Sequence, residues 1–244
     1  MNPALTLATA ARVLRQVRTD RRTIALIVVV PCVLIGLLAW MFSGTPVFDR
    51  TGAAILGIFP MTVLFVVTSV ATLRERQSGT LERLLTTPLG KGDFMLGYAV
   101  AFAVLGTLQA LVATAFAVWV CGLDVAGPLW LLVVVAVVDA LLGSALGLLA
   151  SAFARTEFQA VQFMPAFIFP QFLLCGLFIA RDQMPDVLHW VSNVLPLSYA
   201  VDAMKTITTE TDPYGTVGAD LAVVGGFIVL ALALASLTLS RRSR

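Results

Sequence analysis

Six stretches of the chain carry almost no charge: residues 24–42, 52–73, 94–121, 129–153, 158–180 and 218–240. Their apolar positions do not alternate with a charged face, as they would in an amphipathic helix on a soluble core. They run continuously, near or above the roughly 18–20 residues a helix needs to cross a ~30 Å hydrocarbon layer. Inside a bilayer every backbone polar group must find its partner within the protein. Continuous runs of this length therefore predict helices and not the alternating strands of a barrel. The pattern predicts an all-α membrane protein with a single six-span transmembrane domain over residues 24–240.

Composition agrees. Of 244 residues, 59% are hydrophobic and 12% charged, against roughly 25% charged in a soluble domain. The first apolar run starts only after residue 23 and has no small-residue cleavage pattern behind it, so it reads as a span and not a removed leader. Cys32, Cys121 and Cys175 lie in or at the rim of apolar runs, where they read as small packing residues. No disulfide framework or metal site is expected from them.

Charge orients the chain. With the N-terminus inside and six spans, every Lys and Arg except Arg50, Arg181 and Lys205 falls on the cytoplasmic side. The acids Asp49, Asp124, Asp182, Asp186, Asp202, Glu210, Asp212 and Asp220 fall outside. The positive-inside rule then predicts a multi-pass plasma-membrane protein with both termini cytoplasmic and a short basic tail at 241–244.

The wetter segments read individually. Residues 1–23 carry Arg12, Arg15, Arg18 and Arg22 at three- and four-residue spacing, which predicts an interfacial helix lying among the lipid headgroups. Anionic lipid explains these arginines better than a nucleic-acid partner does. Pro60, Pro165 and Pro170 mark kinks in the second and fifth spans, and Gly143 and Gly147 a small-xxx-small face on the fourth. Residues 181–217 are too long and patterned for a plain loop. Helical spacing up to Leu195, a break at Pro196 and a second pattern through Tyr199 predict two re-entrant half-helices in the outer leaflet.

Residues 74–93 are the wettest part of the first two-thirds of the chain. Leu81, Leu84 and Leu85 make one apolar stripe, Ser78 and Thr80 are capping residues, Glu82 suits the first turn, and Pro88 ends the helix. A helix this short needs a surface to lie on: either the bilayer or a groove on another protein.

"ERQSGTLERLLTTP", Glu75 to Pro88, resembles the segment between spans two and three of ABC-2-type permeases, and "LPLSYAVDAMK", Leu195 to Lys205, resembles that family's second signature before the last span. The group includes daunorubicin-resistance and polysaccharide-export permeases, membrane subunits of ATP-driven exporters. The resemblance implies that 74–93 is a coupling helix seated on a nucleotide-binding subunit. Glu75, Gly79, Thr80, Glu82 and Pro88 would match the motif, and Leu81, Leu84 and Leu85 would fill the cleft. Pro196 and Tyr199 would belong to the re-entrant motif. Partners would be ABC ATPase subunits, which hold ATP and Mg, and a second permease copy or paralogue. The chain itself carries no phosphate loop G-x-x-x-x-G-K-[ST], and no catalytic residue, cofactor or metal is expected on it.

Asp139 is the one acid deep in an apolar run, where insertion of a charge costs ~2.5–3.5 kcal/mol. It is either a contact for a polar or cationic cargo, with Gln109 and Gln162 on the path, or a structural acid hydrogen-bonded to Gln109. An ion-coupled secondary transporter using Asp139 is the alternative function; it wants more intramembrane ionisable groups than this one. A zinc H-E-x-x-H enzyme is ruled out by a single histidine, His189. The cargo class stays broad: drug-like, lipid-like or glycan, with 15 Phe against 4 Trp and 3 Tyr favouring an apolar molecule.

Overall fold

The computed structural model describes residues 2–45, 47–77 and 90–241. These residues are helical with no strand among them. The helices are α1 (Pro3–Thr19), α2 (Arg21–Met41), α3 (Val47–Gln77), α4 (Lys91–Ala115), α5 (Leu129–Phe153), α6 (Glu157–Leu174), α7 (Asp186–Val194), α8 (Pro196–Thr209) and α9 (Tyr214–Arg241). A π-helical turn, Phe116–Val120, continues α4, and a 3₁₀ turn, Arg181–Gln183, follows α6.

Local chemistry sets the boundaries. Asn2 accepts a hydrogen bond from the Ala4 amide and Pro3 supplies the first helical residue, so α1 is capped at its start. Asp20 both closes α1, donating its amide to Val17 O, and caps α2 by accepting from the Arg22 and Thr23 amides. One residue therefore makes the corner between the two helices. The Thr23 hydroxyl and amide hold the Asp20 carboxyl below its ordinary range.

Five helices among the described residues are long and apolar enough to cross a membrane: Arg21–Met41, Val47–Gln77, Gly92–Val120, Leu129–Phe153 and Tyr214–Thr238. The chain is thus built as an integral membrane protein. The expected fifth run, 158–180, is different. Its helix α6 has 18 residues, about 27 Å of rise, and holds Gln159, Gln162, Gln171, Pro165 and Pro170. It ends at Leu174, and Gly176, at φ +85°, turns the chain away before the apolar run is finished. Continuous hydropathy overstated this helix because the run includes a turn.

In a bilayer, lipid tails compete with side chains for apolar contact, so close backbone approach decides which helices pair. α3 and α5 form the central pair. A Cβ on Gly143 would lie 2.1 Å from Met61 O, and one on Gly147 would lie 2.5 Å from Phe65 O. These two glycines, one turn apart, lay α5 directly on the backbone of α3. On the flank of α5, a Cβ on Gly106 of α4 would sit 2.6 Å from Ala140 Cβ. α2 and α9 lie at the rim with most of their surface outward.

α8 lies against protein. Leu197, Ala200, Val201, Met204 and Ile207 are buried, and α8 packs on α3 and α9 as a core element. Pro196 starts it at the first helical position. α7, by contrast, exposes Val187, Trp190 and Val194.

Gly143→Val is expected to destabilise the protein in detergent by about 1–3 kcal/mol through overpacking. Gly225→Ala, where nothing lies within 4 Å, should be neutral or stabilising by up to about 1 kcal/mol. Thermal unfolding of the two variants in one detergent checks the contrast.

Candidate functional site

The end of α3 and the start of α4 flank residues 78–89, and both are tied down. Asp93, in the first turn of α4 where the helix dipole favours an acid, accepts from the Asn2 amide at 2.8 Å and the Thr6 hydroxyl at 3.3 Å. Gly97 lets α1 approach: a Cβ there would meet Thr9 Cβ at 2.6 Å. α1 is thereby laid along the first turns of α4.

One charged cluster joins all three helices. Glu75 of α3 is 3% exposed. Its carboxylate receives the Arg12 guanidinium in a two-pronged pair, Nη1 to Oε1 and Nη2 to Oε2, and the Tyr98 hydroxyl donates to Oε2. A buried carboxylate is tolerated only when paired and hydrogen-bonded, and the forked guanidinium geometry fits it. Partial burial works against the Arg12 charge, yet hydrogen bonding and attraction from Glu75 raise its pKa above the ordinary value. Phe94 and Phe102 flank the Tyr98 ring, at 4.5 and 5.8 Å between centroids.

The last turn of α3 is held on its other side as well. Arg74 makes a two-pronged pair with Glu157 at 2.8 and 2.9 Å. Arg76 donates to Ser151 O, and Gln77 Nε2 donates to Arg155 O at 2.7 Å. The exposed Arg74–Glu157 pair adds ~0–1 kcal/mol; its value is register. Sequence periodicity places 74–77 in a loop, whereas here they are the last turn of α3. Of the expected coupling-helix residues, Glu75 is in this junction. Gly79, Thr80, Leu81, Glu82, Leu84, Leu85 and Pro88 lie outside the described residues.

The expected cargo-path residues do not form one site. Asp139 is 0% exposed and Gln109 1% exposed, and none of their side-chain oxygens or nitrogens has a hydrogen-bond partner. The Gly106–Ala140 contact puts both within one turn of the same α4–α5 crossing, but the expected bond between them is not made. Thr107 is satisfied by Ala103 O at 2.7 Å. Gln162 is exposed on α6, outside this interior.

At the far end, Tyr199 donates its hydroxyl to Asn193 O at 2.7 Å, and the Arg181 guanidinium sits 5.0 Å over its ring. Arg181 also bonds Asp202 and Asn193 Oδ1, and Lys205 reaches Gly176 O. Burial raises the Asp202 pKa, outweighing the opposing pull of Arg181. Sequence reasoning selected Pro196 and Tyr199 and missed Arg181, Asp202 and Lys205. The two basic residues between Arg155 and Arg241 were the available signal.

Residues 4–208 match the family model described as ABC-2 type transporter. The chain is 32% identical over 144 residues to the Probable multidrug ABC transporter permease YbhR of Escherichia coli (strain K12), covering 59% of this chain and 39% of that protein. It is 30% identical over 149 residues to the Probable multidrug ABC transporter permease YbhS of the same strain, covering 60% and 40%. Nodulation protein J of Bradyrhizobium diazoefficiens is 29% identical over 217 residues, which is 85% of this chain and 79% of that one. The chain spans about two-fifths of the length of the first two relatives.

A double-mutant cycle on Arg12→Gln and Glu75→Gln is expected to return a coupling energy of about 0.5–3 kcal/mol. Of the two single changes, Glu75→Gln should cost more, because its site is closed to water while that of Arg12 is partly open. Thermal or denaturant unfolding in detergent gives the four stabilities required.

Proposed function

The chain belongs to the ABC-2 type transporter family, and from that membership we propose that it is the membrane subunit of an ATP-driven exporter. In this reading residues 78–89 form the coupling helix, with Leu81, Leu84 and Leu85 in a cleft of an ABC ATPase subunit. ATP and Mg are bound and ATP is hydrolysed on that partner, and this chain does no catalysis. A second permease copy or paralogue completes the path. α6, together with the turn at 175–180, serves as the fifth of six spans, which puts both termini in the cytoplasm of a plasma-membrane protein.

The observation that carries this reading is the clamping of both flanks of 78–89. Gln77 and Arg76 are tied to the end of α5 and its turn into α6, Glu75 to α1 and α4, and Asp93 to α1. A force applied to the intervening segment passes to four helices and is not dissipated in a slack loop. Three leucines on one face suit a protein groove.

The cargo is proposed to be amphipathic and drug-like or lipid-like. Two relatives are named as probable multidrug permeases, and 15 Phe against 4 Trp and 3 Tyr in this chain favour an apolar cargo. Gln162, outward on α6, would line a path shared with the second copy. A second reading, ion-coupled transport through Asp139, rests on the unpartnered buried carboxyl and Gln109.

Leu81→Asp combined with Leu84→Asp should abolish co-purification of an ATPase subunit from the native membrane in mild detergent, while leaving the yield of the permease unchanged. An unmutated chain that brings down no ATPase would sink the exporter reading and favour the ion-coupled one. Asp139→Asn should leave ATPase co-purification intact; a transport rate that changes its pH dependence in this variant would give Asp139 the cargo or ion role.

A further inference from the structure

Residues 1–48 contain five arginines and a single acid, Asp20, and the fold separates the five into two sets. Arg12 points inward to Glu75. Arg15, Arg18, Arg21 and Arg22 are exposed, and no carboxylate among the described residues lies within ion-pair distance of them. Asp20 makes no ion pair with them, since its oxygens accept from the Arg22 and Thr23 amides and the Thr23 hydroxyl. Its single negative charge against these four arginines leaves a net excess of three positive charges.

The apolar surface beside these arginines sets their depth. α1 turns Thr9, Ala10, Val13 and Val17 inward and leaves Leu7 exposed. Immediately past Arg21 and Arg22, α2 presents Leu26, Val29, Val33 and Leu37 outward, as a helix facing hydrocarbon does. Arg21 and Arg22 therefore stand about one turn before the apolar stripe starts, and Arg15 and Arg18 lie on the adjoining last turns of α1. Guanidinium groups bind phosphate oxygens in forked pairs.

We propose that the outward face of α1 and the first turn of α2 form a binding surface for anionic phospholipid headgroups, contacted by Arg15, Arg18, Arg21 and Arg22, with Arg12 withheld by Glu75. This rests on the cytoplasmic placement of the N-terminus proposed above and on α1 lying at the headgroup level, as its arginine spacing predicts. Contiguity with a membrane-crossing helix favours lipid over nucleic acid or an acidic protein. Because the same α1 is bolted through Arg12 to the flank of residues 78–89, a lipid held there stiffens the base of the coupling segment.

The full chain would be reconstituted in phosphatidylcholine vesicles and probed by electron spin resonance with spin-labelled phosphatidylglycerol and phosphatidylcholine. The expected result is selective immobilisation of phosphatidylglycerol, weakened by salt. Each single Arg→Gln change at 15, 18, 21 or 22 should lower the selectivity by up to about fivefold, and the quadruple glutamine variant should lose it. The quadruple Arg→Lys variant should retain most of it, and both quadruple variants should unfold at the wild-type temperature, which separates loss of the guanidinium charge from loss of the fold. Unaltered selectivity in the quadruple glutamine variant would overturn the proposal, as would an equal loss in the quadruple lysine variant. So would a wild-type chain that ignores phosphatidylglycerol but retains a labelled oligonucleotide at the same salt. No ATPase is present in these vesicles, so the outcome is independent of whether the chain couples to one.

Discussion

The direct seating of α5 on the backbone of α3 is the contact on which the remaining architecture depends. Glycines at 143 and 147 leave no atom between α5 and the carbonyls of Met61 and Phe65. In hydrocarbon, helices gain little by hiding apolar surface from one another, so the pair that approaches closest has the largest dispersion contact. α4 then joins α5 through Gly106 and Ala140, and α8 fills the far end against α3. The more weakly covered α2 and α9 are left at the rim, where a partner or lipid can reach them.

This central pair also fixes where the polar chemistry goes. α3 continues beyond the apolar core to Gln77, so its last turn emerges as a rigid post carrying Arg74, Glu75, Arg76 and Gln77. Each of these side chains bonds a different neighbour: Glu157, Arg12 with Tyr98, Ser151 and Arg155. Glu75 contributes most to holding the junction, since an unpaired carboxylate in its closed site would be costly. The exposed Arg74 pair adds direction more than energy. The far end uses the same device, with Arg181 gathering Asp202, Asn193 and Tyr199 around the turn that follows α6.

Much of this was legible in the chain as written. Long uncharged runs located α2, α3, α4, α5 and α9 to within a few residues, because a bilayer-spanning helix must be apolar along its whole length. The small-xxx-small spacing at Gly143 and Gly147 announced a close contact but not its partner. The break at Pro196 separated α7 from α8, though periodicity alone could not tell a helix dipping into lipid from one buried in protein. The run at 158–180 holds a shorter helix than its length implies, since hydropathy sums over a turn as readily as over a helix, and Gly176 supplies that turn. Gln109 and Asp139 were selected for their depth, and depth does not fix side-chain direction: they share one crossing without bonding.

Sequence by itself determined the class of protein, the spacing of its membrane helices and the arginine-rich lead-in, because each is a local property of composition or periodicity. Tertiary structure alone decided that Arg12 belongs to Glu75 and Tyr98 while its four neighbouring arginines stay outside, and that Arg181 belongs to Asp202. Those pairings join residues 63, 23 and 21 positions apart. A charge that stays solvated and a charge that is buried and paired look the same in sequence. They separate only when packing, set here by two glycines on a neighbouring backbone, determines which side chains are removed from water.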